Sequence, residues 1–81
     1  MDIFSEASYF KFLCSLIHPG DQVALVIDPI QRVTISAISR DKFQTIEGFP
    51  LLAMEVIPLN AAGQPIEPID LATLFKQWAS R

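Results

Sequence analysis

Residues 20–40 read GDQVALVIDPIQRVTISAISR, and two apolar rhythms in this stretch decide what fold the chain can have. VALVI at 23–27 is a β-branched run bounded by Asp21 and by Asp28-Pro29, which is how a short strand between turns reads. QRVTISAIS then alternates, with Val33, Ile35 and Ala37 on one face and Arg32, Thr34 and Ser36 on the other. That period of two predicts an antiparallel strand covered on one side.

Downstream, Arg40-Asp41-Lys42 turns the chain into KFQTIE, where Phe43 and Thr45 oppose Gln44 and Ile46. LLAMEVIPL at 51–59 then places Leu52, Met54 and Val56 on one face and Leu51, Ala53, Glu55 and Ile57 on the other. Both faces are largely apolar, so this strand is expected to be central and covered twice, or part of a subunit contact. Pro58 ends it, and Gly63 sits in the polar loop that follows.

Upstream, IFSEASYFKFLCSLI at 3–17 has apolar residues at Ile3, Ala7, Phe10, Cys14 and Ile17, widened by Tyr9, Leu13 and Leu16. This is helical spacing, stopped by His18-Pro19-Gly20. Phe12 falls on the polar side with Ser8 and Ser15 and is expected to be an exposed aromatic. At the other end, Asp70 is the expected N-cap of LATLFKQWAS, with Leu71, Leu74, Phe75 and Trp78 on one stripe.

The order predicts an α+β domain: an N-terminal helix, an antiparallel sheet of three to five short strands, and a C-terminal helix. Such short runs joined by tight turns also suit a small SH3-like barrel. The connections are too short for parallel crossovers. At 81 residues, with no repeat or long linker, residues 1–81 are expected to form a single domain.

Composition removes several function classes. The formal charge is −3, and the six basic residues form no run, so no general attraction to phosphate is expected. The single cysteine excludes an intramolecular disulfide and a thiolate metal cage, which fits a cytoplasmic protein. Asp2, Glu6 and Lys11 argue against a secretory leader, and no apolar run approaches the ~18 residues of a membrane span. No glycine-rich phosphate loop or serine nucleophile motif is present, and Asp21 and Asp28 belong to no calcium-type loop.

Neither remaining catalytic candidate carries weight. Cys14 and His18 are four residues apart, but Cys14 lies on the apolar stripe and Pro19 distorts the turn at His18. Glu55 would have a raised pKa if buried on both sides, but an outward glutamate paired with Arg32 or Lys42 is the expected arrangement. No catalytic residue, metal ligand or cofactor is therefore assigned.

Surfaces remain. Hydrophobic residues make up 51% of the chain, more than a small core needs, so an exposed apolar patch is expected. The leading expectation is a non-catalytic interaction module, binding a protein partner or a second copy through Phe12, Leu51, Met54, Ile57 and Trp78. The alternative is a small nucleic-acid-binding domain using Arg32, Arg40, Lys42 and Phe43 around one hairpin.

Overall fold

A computed structural model describes residues 6–80, and within them the expected α+β order is present. Helix α1 spans Glu6–Cys14, and five strands follow: β1 Gln22–Leu25, β2 Arg32–Ile38, β3 Phe43–Thr45, β4 Pro50–Leu51 and β5 Val56–Pro58. Helix α2 spans Pro68–Ala79. Ile3, the expected first residue of the helical stripe, lies outside the described residues.

The strands form one antiparallel sheet in the order β4-β3-β2-β1-β5. LLAMEVIPL is therefore not the continuous strand expected from its apolar faces. It divides into β4 at one edge, a single 3-10 turn at Ala53–Glu55, and β5 at the opposite edge. Only residues 52–55 join the two edges, so the sheet must curl strongly to bring them within reach. The edges do not hydrogen-bond to each other, and the sheet stops short of a closed barrel.

A β-bulge at Ser36 helps produce the curl. Ile35 pairs with Thr45, but Ala37 pairs with Gln44 and Ile38 with Phe43, leaving Ser36 as the extra residue. Its hydroxyl donates to the carbonyls of Gln44 and Thr45 at 3.2 and 3.0 Å. The extra residue shifts the phase of the strand, so Ile35 and Ile38 follow the core while Ala37, expected beside Ile35, is exposed.

Both helices contribute to the one core that the sheet curls around. Phe10 and Leu13 of α1 are buried, and the Phe10 ring sits 4.9 Å from that of Phe43. Phe12 is buried as well, at 2% exposure, which corrects its reading as an exposed aromatic. At 3.6 residues per turn, Phe12 and Phe10 bound a helical arc of about 160° with Tyr9 and Leu13 between them. The Phe10 end meets the sheet. The Phe12 end meets α2, with ring centroids 5.2 Å from Phe75 and 5.9 Å from Trp78. A helix covered by two neighbours buries a wider arc than one covered by a sheet alone.

Helix α2 starts earlier than expected. Glu67 is the N-cap and Pro68 opens the first turn, where its missing N–H has no cost, while Asp70 lies inside that turn and complements the helix dipole. The sharp turn after β3 depends on Gly48, whose φ is +90°. A Cβ there meets no atom within 4 Å, so replacement strains only the backbone. Gly48→Ala is expected to cost about 1 kcal/mol or more, lowering the thermal midpoint by roughly 4–8 °C per kcal/mol in a domain of this size. Differential scanning calorimetry measures it.

Candidate functional site

The curled sheet and its two helices enclose a buried apolar core that includes Phe12, Phe43 and Phe75 but leave a groove of about 630 Å³ between α1, the start of α2 and the β5 edge. Val56, Leu71 and Phe75 are its buried lining residues, and Tyr9, Ile57 and Ile66 are half-buried. Val26 and Met54 stand at its exposed margin, at 54% and 63% exposure. Glu6 is the one charged residue lining it among the described residues.

Backbone geometry fixes these walls. Val26 follows β1 directly, and its N–H donates to the Glu55 carbonyl at 3.0 Å, tying the strand end to the 3-10 turn that carries Met54. Glu55 does not pair with Arg32 or Lys42, as its sequence position led one to expect. Its Oε1 accepts the Leu52 N–H at 3.0 Å and closes that same turn. Burial pushes the pKa of the Tyr9 phenol above its ordinary value, so its hydroxyl is harder to ionise than that of an exposed tyrosine.

The structure brings together two of the five expected interaction residues, Met54 and Ile57. Leu51 is half-buried on β4 and packs against the core cluster at the far edge of the sheet. Trp78 is half-buried too, its ring 6.2 Å from Phe75 and 5.9 Å from Phe12, so it closes the α1–α2 contact instead of standing free. Phe12 lies wholly beneath it.

The sequence reading missed Val26, Tyr9, Ile66 and Leu71, and with them the exposed loop that Val26 opens. In residues 26–30, Ile27 is 85% and Ile30 88% exposed. The signal was there: VALVI is written as a strand, but β1 stops at Leu25, and VIDPI puts three large apolar residues around an Asp-Pro turn.

The basic hairpin fares differently. Phe43 has 0% exposure and cannot stack on a base without unfolding β3. Arg32 and Arg40 flank opposite ends of β2, whose 7 residues span about 20 Å in extended form. Arg32 is engaged: its guanidinium donates to the carbonyls of Pro29 at 2.6 Å, Ile30 at 3.1 Å and Gln31 at 3.4 Å. Arg40 lines a second cleft of about 380 Å³ with Lys11, Asp41 and Glu6, a set of mixed sign. Arg40 and Lys42 are exposed and make no ion pair among the described residues.

Cys14 and His18 do not form a dyad. The helix ends at Cys14, and His18 turns to Asp21, whose Oδ2 accepts the His18 N–H at 2.9 Å and lies 3.6 Å from Nδ1. Burial pushes the Cys14 thiol up, the opposite of what a nucleophile needs. Raising a thiol's folded pKa favours the protonated form, so reaction with a thiol reagent near pH 8 is expected to be slower in the native protein than in the urea-unfolded chain. A reagent that reports thiolate release by absorbance checks this, and equal rates would contradict it.

Among the described residues, no group of three His, Cys, Asp or Glu side chains is placed to hold a metal ion. None of their helices is long and apolar enough to cross a membrane. No protein-family model, curated protein or solved structure matches the chain.

Proposed function

We propose that this protein is a non-catalytic interaction module that binds protein through the apolar groove beside β5. The groove itself supports this reading: an open, largely apolar channel whose margin exposes Met54 and Val26 to water. Side-chain contact is the mode that fits. Both edge strands are two or three residues long and each carries a proline, Pro50 or Pro58, so neither edge offers a ladder for an added strand. The acidic balance and the expected cytoplasmic location leave a protein surface as the natural counterpart.

The nucleic-acid alternative rests on Arg40 and Lys42 alone, since Phe43 is buried and Arg32 braces a loop. Two phosphate contacts give a salt slope of only about −1.4 on a single strand, too shallow a footprint for useful affinity from a chain of charge −3.

Site-specific photo-crosslinking in the native host tests the proposal. A photoreactive residue at Met54 is expected to give protein adducts of defined mass, insensitive to nuclease, whereas the same residue at exposed Lys42 gives none. Adducts from Lys42 that nuclease removes, with none from Met54, would replace this reading with the nucleic-acid one. No adducts from either position would overturn both.

A further inference from the structure

We infer that the occupant of the groove is a second copy of this chain, which inserts its β1–β2 hairpin tip, residues 26–30. This rests on the groove being an interaction site.

The tip is built as a knob. Ile27 and Ile30, at 85% and 88%, are the two most exposed large apolar side chains among the described residues. They are held in a fixed turn. The Asp28 N–H donates to Leu25 and the Gln31 N–H to Asp28, while the Arg32 guanidinium gathers the carbonyls of Pro29, Ile30 and Gln31. A second guanidinium nitrogen reaches the Gly63 carbonyl at 3.5 Å and ties the tip to the loop after β5. An apolar knob rigid before binding loses little entropy on docking.

Knob and groove are contiguous, because Val26 is both the first residue of the tip and part of the groove margin. Contiguity is what a two-fold interface needs. One patch must be complementary to itself, so that each copy donates its tip where it accepts the other's. The area is also adequate. At about 100 Å² of apolar surface per fully exposed large aliphatic side chain, Val26, Ile27, Ile30 and Met54 offer about 290 Å², and half-buried Ile57 and Ile66 bring this to about 350 Å². The smallest specific interfaces bury ~600 Å² per partner, of which a little over half is apolar, about 340 Å².

The charges set a sign. Asp28 on the tip and Glu6 at the groove are both acidic, and each copy carries −3. Raising the salt from about 0.1 to 1 M screens that repulsion, so self-association holds or tightens, the reverse of a phosphate-bound complex.

Light scattering coupled to size exclusion, at about 100 µM, detects any dimer with a Kd of ~10 µM or tighter. Three proteins are compared: wild type, a tip variant (Ile27→Asp with Ile30→Asp) and a groove variant (Met54→Asp). All the substituted positions are exposed, and circular dichroism confirms that each variant folds. The wild type is expected to be a dimer and each variant alone a monomer. In an equimolar mixture of the two variants one of the two tip–groove contacts is intact, whereas either variant alone has none, so the mixture is expected to associate more than either variant and less than the wild type. A monomeric wild type or dimeric variants would overturn the proposal. Groove binding by another protein would still be visible as Met54 photo-adducts whose mass is not twice that of the chain, so the two readings fail separately.

Discussion

Phe12→Ala is expected to remove about 3–5 kcal/mol of folding stability, the cost typical of deleting a buried phenylalanine. The residue is 2% exposed and its ring lies against three others, those of Tyr9, Phe75 and Trp78. A domain of this size has about 4–12 kcal/mol in total, so the substitution takes a quarter or more of it. With a urea dependence of ~1 kcal/mol per molar for a small domain, the midpoint falls by about 3 M or the chain unfolds without denaturant. Trp78, the only tryptophan, reports the transition from within the same aromatic cluster. Phe12→Leu keeps most of the volume and is expected to cost far less. An unchanged midpoint for Phe12→Ala would mean the ring is exposed, as its place on the helical wheel first implied.

Phe43→Ala is expected to be equally costly, again about 3–5 kcal/mol, because the ring is fully buried against Phe10 and its strand partners are Ile38 and Leu51. The neighbouring Arg40→Ala and Lys42→Ala should each fall within ~0.5 kcal/mol of wild type, as exposed substitutions usually do. This contrast separates the scaffold from a base-stacking platform. If Phe43 served nucleic acid, its removal would leave the unfolding midpoint in place and weaken oligonucleotide binding, which fluorescence anisotropy measures.

What the sequence made legible follows from which forces are local. The period of two in β2 holds as far as Ile35, since Val33 and Ile35 both reach the core. The end of α1 was not legible, because the helix stops at Cys14, four residues before His18, out of reach of a proline that acts only on its immediate neighbour. Ser36 could not be foreseen as a bulge: serine fits an outward position equally well, and only its bonds to the carbonyls across the strand pair identify the extra residue. Phe12 was misplaced because a helical wheel assumes one covering surface, and α2 supplies a second. LLAMEVIPL misled for a related reason. Apolar residues on both sides of a segment mark burial without saying whether the backbone stays extended, and the Glu55 bond to Leu52 that bends it is a local signal of low specificity. Of the candidate site, Met54 and Ile57 were legible as surplus apolar residues. The groove was not, since it draws on α1, β5, the 3-10 turn and α2, which are distant in sequence.

The prolines at the two sheet edges bear on how such an apolar chain survives at cellular concentration. An exposed strand edge is the usual template for fibril growth, because each added chain regenerates the edge it joined. Here β4 starts at Pro50 and β5 ends at Pro58, whose carbonyl is already taken by the Ile66 N–H. Open-ended polymerisation through the backbone is blocked at both ends of the sheet. The hairpin tip and groove can therefore stay uncovered in a newly made chain without seeding growth through the backbone.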